Sequence, residues 1–159
     1  MSTIAISLLE TARNVLEIES KALAKLAENL PQDFTRLIKA IIKCKGRVIV
    51  SGVGKSGHIG RKISATLAST GTPSYFVHAT EASHGDMGML VEDDICILIS
   101  NSGETSEMRD IVAYTRRFSI PMAAISSNPE STLMRAADFT LGLPNAPEAC
   151  AIGMAPTTS

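Results

Sequence analysis

The sequence predicts an α/β fold, a three-layer αβα sandwich on a five-stranded parallel sheet, with a long helix ahead of it. Three observations carry this. Val48-Ile49-Val50 and Ile95-Cys96-Ile97-Leu98-Ile99-Ser100 are apolar without alternation, as strands buried on both faces must be. Stretches of helical period separate such runs. The first run leads directly into a glycine-rich turn, Ser51-Gly52-Val53-Gly54-Lys55-Ser56-Gly57, that opens a helix.

The first thirty residues contain no glycine and have helical pattern. Leu9, Leu16, Leu23 and Leu30 fall seven apart, and Leu8, Ala12, Val15, Ala22 and Leu26 widen the stripe. Such a helix is about 40 Å long at 1.5 Å per residue, more than a small domain covers. Part of the stripe is therefore expected on the core and part on another subunit. Pro31 stops this helix, and Asp33 is expected to cap a second, with Phe34, Leu37, Ile38, Ile41 and Ile42 buried. Residues 1–45 form this helical segment and 46–159 the sheet-bearing core.

The core then alternates strand, loop and helix. Strands are expected at 47–50, 74–77, 95–100, 121–126 and 138–142. Helices are expected from about 57 to 70, ending at Gly71, and from 105 to 118, with Met108, Ile111, Val112 and Thr115 inward. Ser127-Asn-Pro-Glu130 reads as a capping box with proline just inside a helix start. In open parallel sheets ligands bind at the carboxyl ends of the strands. The loops at 51–56, 78–88, 100–105, 126–131 and 143–150 should share that edge.

Composition sets limits. A chain of 159 residues with 45% hydrophobic and 19% charged residues is an ordinary globular domain, and a net charge of −1 gives no footprint for nucleic acid. No apolar run approaches the roughly 18 residues a membrane span needs, and no basic n-region precedes an apolar core. Cys44, Cys96 and Cys150 fit neither a disulfide framework nor a zinc cluster, which is expected of reduced thiols in a cytoplasmic protein.

The loops carry the chemistry. Gly52, Gly54 and Gly57 match G-x-G-x-x-G, but a dinucleotide site needs a carboxylate at the end of the second strand, and that strand ends Val77-His78. A P-loop fails because its first glycine would stand at Ile49. What remains is an oxyanion-binding turn bearing Lys55 and Ser56. The loop after the third strand gathers Ser100, Ser102, Thr105 and Ser106 at a helix start, a dense donor cluster for phosphate oxygens, with Glu107 in the first turn. His78 and His84 flank Glu81 at a spacing that matches no strong zinc motif, which favours proton transfer or hydrogen bonding to a sugar. Glu148 follows the fifth strand on the same expected edge.

These residues resemble a known family. The runs Gly52–Gly60, Ala68-Ser69-Thr70-Gly71-Thr72-Pro73, His84-Gly85-Asp86-Met87-Gly88-Met89, Ser100-Asn101-Ser102-Gly103-Glu104 and Glu148-Ala149-Cys150 are similar to arabinose-5-phosphate isomerases of the KpsF/GutQ family, built on a flavodoxin-like sugar isomerase (SIS) domain. The resemblance covers residue 40 onward. It implies reversible isomerisation of D-arabinose 5-phosphate and D-ribulose 5-phosphate, feeding the Kdo sugar of bacterial lipopolysaccharide or capsule. It also implies a homotetramer with sites at subunit interfaces. It places catalytic roles on Lys55, Glu107 and Glu148, and sugar-phosphate contacts on Gly71, Thr72, His78 and His84. No cofactor is required, and a zinc ligand falls on His78. Gly71 and Thr72 precede the second strand, so they would serve a neighbouring subunit. Family members continue with a further helix, another histidine and two CBS modules, so the SIS core is expected to be cut short at Ser159.

For the reaction, the phosphate is expected on the Ser100–Ser106 loop with help from Ser56. Lys55 would stand at the enediolate oxygen, one of Glu107 and Glu148 would act as carbon base, and the other or His84 as the ring-opening acid. Two other readings stay open: a sugar-phosphate sensor without catalysis, and an isomerase of another sugar phosphate such as sedoheptulose 7-phosphate.

Overall fold

The computed structural model describes residues 3–150 and 155–158. It divides into two compact units: residues 31–142, and residues 1–30 with 143–159.

The larger unit holds a five-stranded, all-parallel sheet in the order β2-β1-β3-β4-β5. The strands are β1 Val48–Gly52, β2 Ser74–His78, β3 Ile95–Ile99, β4 Met122–Ser126 and β5 Phe139–Gly142. β1 and β3 are buried at every position, as their unbroken apolar sequences require. Alternate residues feed two cores. Val48, Val50, Ile95, Ile97 and Ala123 pack under helices α2 (Phe34–Lys43) and α3 (Gly54–Ser69). Ile49, Val77, Cys96, Leu98, Met122 and Ala124 pack under α4 (Ala79–Ser83), α5 (Arg109–Arg117) and α6 (Thr132–Ala136). The αβα sandwich is thus observed, with strand ends within two residues of the sequence reading.

Three local expectations are corrected. Asp33 does not cap α2: its backbone is helical and its side chain makes no cap bond. Its Oδ2 instead accepts the N–H (2.8 Å) and the hydroxyl (3.1 Å) of Thr140 in β5, and Arg36 pairs with Oδ1. α2 also buries less than expected. Leu37 is 3% exposed, but Phe34, Ile38 and Ile42 are 42%, 39% and 77% exposed. Finally, Ser127–Glu130 is a turn, not a capping box. Ser126 Oγ accepts Asn128 N–H, Asn128 Oδ1 accepts Glu130 N–H, and α6 starts later with Ser131 accepting Met134 N–H as its cap. A short helix, α4, and a 3₁₀ turn at Asp86–Met89 occupy the segment expected to be loop.

The smaller unit contains α1 (Thr3–Glu28), a 26-residue helix. Lys25 Nζ donates to the Asn145 carbonyl at 3.0 Å. The heptad leucines Leu9, Leu16, Leu23 and Leu30 are all more than half exposed within the chain.

Candidate functional site

At the carboxyl edge of the sheet, β1 turns into α3 with almost no space between them. A Cβ on Gly52 would lie 3.0 Å from Ser56 and Gly57 backbone atoms, and one on Gly57 would lie 2.9 Å from the Gly52 carbonyl oxygen. Only glycine allows this approach, and it aims the start of α3 over the strand ends. The residue before the helix is Val53, which has no side-chain oxygen, so no side chain caps α3. The N–H groups of its first turn are left for a ligand, with the helix dipole favouring an anion. Lys55 is exposed there and Ser56 half-buried.

The second element is the loop from Ser100 to Thr105. Ser100 Oγ and Thr105 Oγ1 lie 2.7 Å apart, Gly103 N–H donates to Ser100 Oγ at 3.0 Å, and Glu104 N–H donates to Ser102 Oγ at 3.2 Å. Ser100 is buried, and the hydroxyls shape the loop from within. Gly103 has φ +67°, and a Cβ there would collide with the Ser131 side chain. The loop is also strapped to its neighbours. Leu133 N–H donates to Gly103 O, Thr132 N–H to Glu104 Oε1, and the Ser126 and Ser127 hydroxyls to Asn101 O. Sequence reasoning missed Glu104, Ser126 and Ser131 in this role, because nothing in local spacing reports a pairing across 28 residues. Behind the loop a cavity of about 250 Å³ opens between α5 and α6, with Met108, Arg109, Val112 and Leu133 in its walls.

Glu107 follows in a 3₁₀ turn, Ser106–Met108, and is exposed. The Ser106 hydroxyl donates to its Oε2 at 2.8 Å. That bond, the residue's own N–H and the nearby His78 imidazole hold its carboxyl below the ordinary 4.5. His78 closes β2 opposite Gly52, half-buried, with its ring edge-on to Phe76. His78, Glu107 and the Gly52–Lys55 turn thus meet at one edge, as do Ser100, Ser102 and Thr105.

Zinc at His78 finds no support. His78 Nδ1 accepts Thr80 N–H at 3.3 Å, so the lone pair of that nitrogen is not left for a metal. Among the described residues no three His, Cys, Asp or Glu side chains gather around a metal-sized space. His84 lies at the end of α4, exposed to solvent.

Two expected contacts lie elsewhere. Gly71 and Thr72 precede β2 at the amino edge of the sheet, beside Ile41, Cys44 and Pro73. Because Val48 pairs with Ser74 and Gly52 with His78, the two edges are about 13 Å apart along the strands. Glu148 belongs to the smaller unit. There its Oε2 accepts the N–H of Thr157 at 2.6 Å, the Thr157 hydroxyl at 3.2 Å and the N–H of Thr158 at 2.8 Å.

The SIS domain model matches residues 41–159. The chain belongs to the SIS domain family. Among curated SIS relatives, the arabinose 5-phosphate isomerase KdsD of Yersinia pestis is 51% identical over 150 residues, which is 94% of this chain but 46% of that protein. The chain spans about half the length of the curated relatives it matches. Among solved SIS structures, E. coli CFT073 c3406 in complex with A5P superposes with a TM-score of 0.93 at 40% identity, over 100% of this chain and 84% of that one. A phosphoheptose isomerase of Francisella tularensis shares the fold, with a TM-score of 0.72 at 20% identity over 86% of each chain. The SIS model begins at residue 41, just before β1, so the family match lies on the sheet and its loops rather than on α1.

Proposed function

We infer that the chain is an aldose–ketose isomerase that interconverts D-arabinose 5-phosphate and D-ribulose 5-phosphate through a cis-enediol. The observation that carries this reading is the superposition, over the whole chain, on a protein solved with A5P. The local geometry agrees with it. An uncapped helix start with Lys55, a hydroxyl-rich loop and an ionised Glu107 stand together at one sheet edge.

The phosphate is held by the Ser100–Ser106 loop with help from Ser56. This remote anchor fixes the reacting carbons. The base takes the proton from C2, and the electron pair becomes the C1–C2 double bond while O1 gains a proton. The base, now protonated, returns its proton to C1, and O2 gives its own back to the group that protonated O1, which forms the ketone. Lys55 stabilises the oxyanion in both half-steps. Protons alone move and no external oxidant is consumed, so no redox cofactor is required. Glu107, Glu148 and His84 share the base and acid roles. The isomerisation would feed synthesis of the Kdo sugar of lipopolysaccharide or capsule in the cytoplasm. The exposed leucines of α1, and the placement of Gly71 and Thr72 at the far edge, favour a homo-oligomer, a tetramer by the family resemblance.

The test is incubation of this chain with D-arabinose 5-phosphate, with ribulose 5-phosphate followed by NMR. Conversion supports the reading. Binding without conversion would favour a sensor, and faster conversion of sedoheptulose 7-phosphate would move the substrate.

A further inference from the structure

The resemblance names Glu148 but says nothing of what surrounds it. In the structure one of its carboxylate oxygens collects three donors from a two-residue turn: the N–H and hydroxyl of Thr157 and the N–H of Thr158. The same turn reaches back the other way. The Thr157 and Thr158 hydroxyls accept the N–H of Ala149, at 2.8 Å and 3.2 Å. The side chain of Glu148 and the backbone N–H that follows it are thus tied to one pair of threonines. The bonds to Glu148 are charge-assisted, the two from backbone N–H groups short, and a carboxylate held in this way keeps one rotamer.

We propose that Thr157 is a positioning residue for Glu148, and that this clasp commits Glu148 to act as a fixed, charged acceptor, leaving carbon-proton transfer to Glu107. Hydrogen bonds to the charged form of a carboxylate favour that form, and a base must give up such bonds when it takes a proton. Glu148 Oε2 has three to give up, two of them from backbone N–H groups that cannot turn away. The Glu107 carboxylate holds the Ser106 hydroxyl, which can rotate, and its own N–H. Of the two carboxylates, Glu107 is therefore the one that changes protonation at lower cost. Thr157 is singled out because it alone supplies both a backbone and a side-chain donor, and because its hydroxyl also takes Ala149 N–H.

This inference rests on the isomerase reading, and the experiment separates the two. E148Q, E107Q, T157V and T157S are prepared in the full chain. Each is followed by NMR of the Ala149, Thr157 and Thr158 amides and by steady-state isomerisation of D-arabinose 5-phosphate. In wild type the Thr157 and Thr158 amide protons are expected downfield, and in E148Q they move upfield. Unmoved signals overturn the clasp whether or not the chain is active. T157V is expected to lose about tenfold in kcat with KM within twofold, as a misplaced group does, and T157S to return within twofold of wild type. A T157V kcat equal to wild type, or a T157S as slow as T157V, overturns the positioning role. E107Q is expected to abolish exchange of the C2 hydrogen with solvent, and E148Q to slow it without abolishing it. The reverse pattern overturns the division of roles. Absence of turnover in wild type counts against the isomerase reading alone, because the amide signals still decide the clasp.

Discussion

The two edges of one sheet are built from the same kinds of residue and used in opposite ways. At the amino edge, carboxylates are consumed by structure. Asp94 is 1% exposed, and its two oxygens accept the N–H of Arg47 at 2.7 Å, the N–H of Val91 at 3.0 Å and the Arg47 guanidinium. Asp138 accepts Met122 N–H at 2.9 Å and pairs with Arg116. Each ties the start of one strand to a neighbouring segment. At the carboxyl edge, polar groups are supplied in excess of what folding uses. α3 begins uncapped, and Lys55 and Glu107 stand in solvent. Ser51 Oγ is fully buried and is the one buried side-chain polar atom among the described residues without a partner. Groups left unsatisfied by the fold are the groups a ligand can satisfy, so the contrast separates stability from chemistry within 13 Å or so.

The largest effect should come from a variant that touches only the carboxyl edge. Lys55→Ala is expected to lower kcat by about 10²–10³, the usual cost of one lost oxyanion donor, with the melting temperature unchanged because Lys55 is exposed. Steady-state kinetics and thermal unfolding check it together. Turnover within threefold of wild type would remove Lys55 from the reaction. A large drop in melting temperature would blur the distinction between the edges.

The complementary variant is Asp94→Ala. It strands two backbone N–H groups and unpairs Arg47, whose side chain is 42% exposed and keeps its water. The loss is about 3 kcal/mol of stability, most of it from the two N–H groups, with little change in KM. Urea unfolding measures it. A loss under 1 kcal/mol would mean that the amino edge is as loosely held as the other.

How far this contrast is legible in the sequence differs by edge. The sheet is legible, because continuous apolar strands and helical period are local signals repeated five times. The carboxyl-edge site is legible in part, because Gly52, Gly54 and Gly57 and the serines after β3 cluster in sequence as they do in space. The amino edge is not. Asp94 serves Arg47 across 47 residues, and Asp33 abandons its helix cap for Thr140 across 107. A carboxylate next to a helix start reads as a cap only until a strand N–H from far along the chain competes for it, and that competition is settled by tertiary packing. The same limit hid Glu104, which holds α6 through Thr132.

A smaller effect should separate the carboxylates by acidity. Glu107 lies below its ordinary value chiefly because the Ser106 hydroxyl donates to it. A base must be deprotonated to act, so a depressed value extends activity toward acid. Removing the first cause moves the acid limb back up. Ser106→Ala is therefore expected to shift the acid limb of kcat/KM to higher pH, toward 4.5, whatever it does to the height of the plateau. An acid limb that stays in place would show that the bond in the free chain is not kept during the reaction.

The last comparison concerns a group that belongs to neither edge. Cys96 lies in the middle strand, 0% exposed, and burial, with a further contribution from the Asp94 charge, pushes its thiol up to about 12. The thiolate is the reactive form, so at pH 8 the fraction available is about 10⁻⁴ even before access is considered. Cys44 and Cys150 are only half-buried. With a chromogenic disulfide reagent, two thiols are expected to react in the native chain, and the third only at the rate of global unfolding. Asp94→Ala makes this a probe of the amino edge. By lowering stability about 3 kcal/mol it should raise the rate at Cys96 by roughly two orders of magnitude through the open state, while Lys55→Ala leaves that rate unchanged. Equal rates in the two variants would mean that Asp94 does not hold the sheet closed, and the division of the edges into structure and chemistry would fail at its structural half.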